Sequence, residues 1–365
     1  MSPLKNGAVI AMREDGEYNK HSDFQLRLLK IGLEYVKDPP KPSDIADGQP
    51  LLTIGDYGCS QGRNSALMMQ DLLSKQPPAT GARMFLVDTP YNDWKSLSET
   101  FTAHNAAISS NGSRQIFTDM VPGSFFDQCL PDASVDIGTA WSSAHWLSEN
   151  IPLKEGTSAE DVIRKFRHHS PKMAHSDFVR FLTNRAREIR PGGIFVAGLM
   201  GRSHDEDVNG VSHNLSGVTV SGVLARKELI AEGKVPKEAA TIASSTYERT
   251  REEMQAALDA VKDVWIVEDL AMREVIHPAY DQLQVELDAG GGEEAYRNYA
   301  KTLTMGWLAA GFMLLLKPKL LTMKETAEDK RLINDFMEKT ARIFFEKFKG
   351  EPQRIKCWYL RLRRK

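Results

Sequence analysis

Asp56 and Asp88 each close an apolar run, the first in LLTIGDYG and the second in ARMFLVD. A carboxylate at such a position either caps a following helix or accepts hydrogen bonds from a ligand lying across the strand ends. The first run continues into IGDYGCSQGRN, where Gly55, Gly58 and Gly62 are spaced G-x-x-G-x-x-x-G. Glycines there permit a tight turn and close approach to the backbone, and the helix that follows offers unbonded N–H groups at its start. The spacing is not the G-x-G-x-x-G of a dinucleotide fingerprint. The turn is therefore either a plain strand–helix connection or a binding loop for a ligand without a pyrophosphate.

S-adenosylmethionine is a ligand of that second kind, with an amino-acid end, a sulfonium and a ribose. Asp56 is placed to accept a hydrogen bond from its ammonium, directly or through water, and Asp88 to accept both ribose hydroxyls. Neither a Ser–His–Asp set nor a metal-ligand cluster stands out. His168 and His169, with His175 nearby, lack carboxylates or cysteines at ligand spacing, so they read as a solvated loop and no metal is expected.

The elements that must carry these residues follow from the apolar pattern. An amphipathic helix runs from about Ser22 to Val36, and DPPKPSD then breaks the chain. Strand patterns in LLTIGDYG, ARMFLVD, SVDIGTAWSS and IFVAGLMG alternate with helix patterns in NSALMMQDLLSK, Trp94 to Ala107 and VRFLTNRAREIR. Such alternation implies an α/β fold, a mostly parallel sheet covered by helices on both faces. Ligands then sit beyond the carboxyl ends of the strands, where each of these motifs falls. After Gly201 the pattern changes to polar segments, a charged helix in TYERTREEMQAALDAV and long helices from Tyr280 to Lys349. DVWIVEDLAMREV and the closing IKCWYLRLR read as further strands.

Composition sets the outer limits. The 365 residues carry a formal charge of −2, which gives no general attraction for nucleic acid or anionic membranes. The basic tail of Arg361, Arg363, Arg364 and Lys365 reads as a last strand ending in solvent. Three cysteines without paired spacing suggest neither a disulfide framework nor a zinc site, so a reduced, cytoplasmic setting is expected. No secretory signal pattern opens the chain. The longest apolar stretch, Leu303 to Leu316, is short of the ~20 residues that span a bilayer. Met305, Trp307 and Met313 within it, at helical spacing, suit a buried core better than a substrate wall.

Taken together, YNKHSDFQ, IGDYGCSQGRN, FLVDTPYNDW, VPGSFFDQCLP, AHWLS and EIRPGGIFVAGLMGR occur in an order that resembles the SABATH family of S-adenosylmethionine-dependent carboxyl methyltransferases. The resemblance covers most of the chain and fades to helix pattern toward its end. It implies a Rossmann-like core with an inserted helical cap, S-adenosylmethionine as cofactor, a small-molecule carboxylic acid as substrate and a homodimer. By position, Ser22, Asp56, Gly58, Asn64, Asp88, Ser124 and Phe125 would bind the cofactor, with Phe125 against the adenine. Gln25 and Trp146 would hold the substrate carboxylate by an amide and an indole N–H, and His145 would line the same pocket. The sequence departs from the family at Ser142, where a tyrosine is usual, at His21, usually asparagine, and at Val87, usually asparagine.

On this reading residues 1–45 form an N-terminal arm that contributes to the site. Residues 46–205 form the core, completed by 262–279 and 350–365, and 206–261 with 280–349 form the lid. Two other functions are compatible with the same residues. One is methylation of a nitrogen or phenol with His145 as base; the other is a catalytically silent ligand-binding relative.

Overall fold

The computed structural model describes residues 12–42, 44–46, 48–110, 114–149, 171–202, 217–237, 239, 246–311, 316–317, 325–349 and 352–365. His168, His169, Met313 and the glycine- and serine-rich stretch after Arg202 lie outside the described residues.

The strands are β1 (Asp44–Ala46), β2 (Gln49–Tyr57), β3 (Gly81–Asp88), β4 (Ile116–Pro122), β5 (Val135–Trp141), β6 (Ile189–Met200), β7 (Trp265–Ile276) and β8 (Arg354–Arg364). They form a single sheet in the order β4-β3-β2-β5-β6-β8-β7, with β1 added antiparallel to β2. Strands β2 to β6 run parallel; β8 enters antiparallel between β6 and β7. Every residue of β5 is buried, as expected of a central strand covered on both faces. The chain moves outward from β2 through β3 to β4, then returns to β5 on the other side. The crevice between β2 and β5 is thus the switch point at which such sheets bind ligands.

One face is covered by α2 (Asp23–Gly32), α3 (Arg63–Ser74) and α4 (Trp94–Ser110), preceded by the single turn α1 (Glu17–Lys20). Leu28, Met68, Leu72 and Phe101 pack there on Ile54, Met84 and Ile137. The opposite face is covered by α5 (Pro171–Glu188) and α7 (Arg251–Asp259), where Phe178, Phe181 and Met254 pack on Val135, Phe195 and Leu360. The remaining helices, α6 (Gly217–Ala231), α8 (Ala279–Asp288), α9 (Gly292–Ala309) and α10 (Ala327–Phe348), have apolar clusters of their own. Trp307 belongs to this packing, since a Cβ on Gly222 of α6 would lie 2.8 Å from its ring.

The structure corrects the sequence reading at several points. Strand β4 was not anticipated: IFTDMVP mixes Thr, Asp and Pro because it is the sheet edge and is buried on neither face. Helix α7, expected in the lid, packs against the sheet. Thr250 and Glu253 cap its start reciprocally, and Met254, Ala257 and Leu258 face the sheet while its charges face outward. The basic tail is not a solvated strand end. Arg361 is buried, bonding Glu268 at 2.5 Å and the Tyr35 carbonyl at 2.9 Å. Arg363 also bonds Glu268, and Arg364 donates to the Ala186 carbonyl at 2.6 Å.

Candidate active site

The turn after β2 is shaped by left-handed backbone at Gly58 (φ +97°), Ser60 (φ +48°) and Gly62 (φ +84°). Gly58 has a second constraint, because a Cβ there would lie 2.4 Å from Cβ of Ser143. Ser143 in turn donates to the Tyr57 carbonyl at 2.6 Å. The segment after β5 is thereby pressed onto the glycine turn, and only a glycine fits between them. The turn is also anchored to β3, since Gly58 N–H donates to the Val87 carbonyl at 2.8 Å.

Above this turn lies a narrow cleft. Gln25, Asp56, Gly58 and Asn64, all named from sequence, line it together. Tyr18 of α1, Ser65 of α3 and Trp141 at the end of β5 line it as well and were not anticipated. For Trp141 the signal was present: an aromatic stands immediately before Ser142, shifted one place from the family's tyrosine. Its indole is fitted against Gly32 and Gly198, where added Cβ atoms would lie 2.0 and 3.2 Å from the ring.

Asp56 is buried, and its two oxygens accept from Ser65 Oγ at 2.5 Å and Thr139 Oγ1 at 3.0 Å. Burial raises its pKa to about 6 against those hydroxyls, with the neighbouring Asp88 adding to the rise. Asp88, at the end of β3, accepts from the backbone N–H groups of Ser60 and Thr89, both at 2.7 Å. Loss of water raises it to about 6 as well, opposed by those two donors. Both carboxylates are thus held where a cation or hydroxyl groups from a ligand would stabilise their ionised forms. Gln25 Oε1 and Asn64 Oδ1, on residues that line the cleft, are buried with no hydrogen-bond partner, which a polar ligand there would supply. Ser22 is buried at the start of α2, and its carbonyl accepts from Asn64 Nδ2 at 3.4 Å, joining α2 to α3.

Ser124 and Phe125 follow β4 on the Asp88 side. Gly123 N–H donates to the Asp88 carbonyl at 2.8 Å, bringing that loop beside the carboxylate. Phe125 meets Phe181 edge-on at 5.7 Å and Phe126 at 4.7 Å. Ser22, Asp88, Ser124, Phe125, His145 and Trp146, also named from sequence, are not among the residues lining the cleft. Trp146 is tied to it through Ser143, whose carbonyl accepts its N–H at 3.0 Å, and it pairs with Thr246 on the other side. His145 is buried, its Nδ1 lacks a partner, and its carbonyl accepts from Tyr247 N–H at 2.7 Å. Burial, with Arg249 adding repulsion, lowers its pKa to about 3, so it is a weak base. Among the described residues no group of His, Cys, Asp and Glu has a metal-binding arrangement, and no helix is long and apolar enough to cross a membrane.

Known proteins share this organisation. A family profile for SAM-dependent carboxyl methyltransferases matches residues 11–315. The methyltransferase LUC1 of Fusarium sp. is 25% identical, with 97% of each chain covered. The O-methyltransferase acrG of Aspergillus aculeatus is 27% identical over the whole of both chains. Jasmonate O-methyltransferase of Arabidopsis thaliana is 26% identical over 51% of this chain and 56% of its own. A solved structure of a loganic acid methyltransferase with S-adenosylhomocysteine shares the fold, with a TM-score of 0.69, 19% identity and 97% and 98% of the two chains covered. With the switch-point cleft and Asp56 in its wall in place, the chain belongs to the S-adenosylmethionine-dependent carboxyl methyltransferases, and S-adenosylmethionine is its cofactor.

Proposed function

We propose that the cleft at the glycine turn holds S-adenosylmethionine, with Asp56 taking the ammonium, Asp88 the ribose hydroxyls and Phe125 the adenine face. Gln25 and Trp146 hold the carboxylate of a small organic acid opposite the sulfonium. Ser22, Gly58, Asn64 and Ser124 complete the cofactor contacts, and the product is a methyl ester. The observation that carries this reading is the meeting of Gln25, Asp56, Gly58 and Asn64 in one cleft, with the Asp56 carboxyl raised to about 6 and two buried polar atoms, Gln25 Oε1 and Asn64 Oδ1, lacking partners. A cationic, hydroxyl-bearing ligand answers each of those features.

The cofactor, when bound, supplies a methyl group already activated by the sulfonium. The chain's own task is then to align and to exclude water. An acid with a pKa near 4 is ionised at neutral pH and needs no base, consistent with a His145 lowered to about 3. Neutral donors suit the carboxylate because its charge disappears during transfer, and a strong cationic grip would favour the ground state. Alignment alone can remove roughly 7–11 kcal/mol of barrier. Jasmonate, indole-3-acetate and anthranilate, which name several relatives, are acids of the expected size class.

The lid is assigned to α6 and α8–α10, with their separate apolar clusters, and the N-terminal arm to the wall of the site through Tyr18 and Gln25. The family resemblance supports a homodimer, which sedimentation would test. The assignment of Trp146 is tested by Trp146→Ala. We expect turnover to fall by at least about tenfold with S-adenosylmethionine affinity retained. Equal loss of both would make Trp146 a packing residue instead.

A further inference from the structure

The last turn of α5 carries an ion pair that the chemistry above does not use. Arg185 and Glu188 are both fully buried, and Arg185 Nη2 and Nε lie 2.8 Å from the two carboxylate oxygens. Burying such a pair in an otherwise apolar layer adds little net stability, since an apolar pair of the same volume serves as well. Its other partners explain its presence. Arg185 donates to the carbonyls of Phe125 at 2.6 Å and Asp127 at 2.9 Å. Glu188 accepts from the N–H groups of Cys129 at 2.6 Å and Leu130 at 3.0 Å. Asn184, one residue away, donates to the Phe126 carbonyl at 2.7 Å. The whole loop 125–130 is held by side chains from the last turn of α5.

The same pair also reaches the glycine turn. Tyr57 OH donates to Glu188 at 2.6 Å, and the Arg185 guanidinium lies 4.0 Å over the Tyr57 ring. Tyr57 is the residue immediately before Gly58 and accepts at its carbonyl from Ser143. One buried pair therefore contacts both the turn that carries Gly58 and the loop that carries Phe125.

We propose that Arg185 and Glu188 are positioning residues that set the distance between these two walls and so set cofactor affinity. The inference rests on the reading of Phe125 and the glycine turn as cofactor contacts. The planar fork of arginine is required, because a lysine cannot reach both carbonyls and the carboxylate at once. Glutamate is required because one oxygen serves two loop N–H groups and the other a phenol.

The test measures S-adenosylmethionine Kd and KM beside the acid KM, kcat and the denaturation midpoint, for Arg185→Lys, Glu188→Gln and the isosteric Tyr57→Phe. Loss of hydrogen bonds to a charged group predicts cofactor Kd and KM raised about tenfold in the first two variants and about threefold in Tyr57→Phe. The acid KM and kcat at saturating cofactor should stay within about twofold. Cofactor affinity unchanged in folded variants, or a parallel rise in the acid KM, overturns the inference. If both charge variants fail to fold, Tyr57→Phe decides, because it removes a single oxygen. Phe125→Ala separates the two levels. If it leaves cofactor affinity intact, the reading of the loop itself fails; if it weakens binding while the α5 and Tyr57 variants do not, only the positioning role fails.

Discussion

Lowering the pH should weaken the cofactor's grip long before it unfolds the protein. Asp56 and Asp88 are each raised to about 6, and in the roles proposed above each is ionised when it holds an ammonium or a ribose. A group of that pKa is about 90% ionised at pH 7 and about 10% at pH 5. If both carboxylates are required, affinity falls about a hundredfold over those two pH units; if only one is, about tenfold. The stability of the ligand-free protein moves the other way. A carboxylate whose folded pKa lies above its unfolded value binds more protons when folded, so stability from these two groups is gained as pH falls from about 6 toward 4. Titration calorimetry of S-adenosylhomocysteine, which retains the ammonium and ribose, from pH 8 to pH 5 gives Kd directly. Buffers of different ionisation enthalpy should reveal proton release on binding near pH 5.5. The stabilisation conferred by the ligand should shrink over the same range. A Kd constant within about threefold from pH 7.5 to pH 5 would refute the reasoning, because neither carboxylate could then be a titrating contact.

Gly58→Ala should lose about 1–3 kcal/mol of stability from its left-handed backbone alone, and its Cβ would meet Ser143 at 2.4 Å. Adding Ser143→Gly should restore part of the denaturation midpoint, and no recovery would mean that contact is not the cause. His145→Gln should leave the shape of the pH–kcat profile unchanged between pH 6 and 8 when cofactor is saturating, since the imidazole is already neutral there. A wild-type limb in that range that vanishes in the variant would restore the base-assisted reading.

The glycine turn and the residues beside it were legible because their geometry is carried by backbone-defining residues in one short segment. Gly58 had to be glycine for two independent reasons, and Asp56 and Asp88 had to close their strands. Sequence position therefore fixed spatial position, and Gln25, Asp56, Gly58 and Asn64 do meet. Tyr18 was less visible, as it reaches the cleft only because α1 folds back over the turn: Asn19 binds Gln61 through its N–H at 3.0 Å and its side chain at 2.9 Å. Strand β4 escaped because an edge strand need not be apolar on either face. The ion pair in α5 escaped for the opposite reason. In NRAREIR charges at the end of a helix read as solvent-facing, yet Arg185 and Glu188 are covered by a loop more than fifty residues earlier in the chain. Likewise the tail arginines look solvated in sequence and are paired in the fold because Glu268 on β7 lies alongside β8.

The most direct test of the account is methyl transfer from labelled S-adenosylmethionine to a panel of aromatic, aliphatic and dicarboxylic acids, with phenols and ring nitrogens alongside. Label is expected in acids alone, in a product cleaved by mild alkali as an ester is. Label on phenols or ring nitrogens that survives alkali, with none on acids, would contradict it.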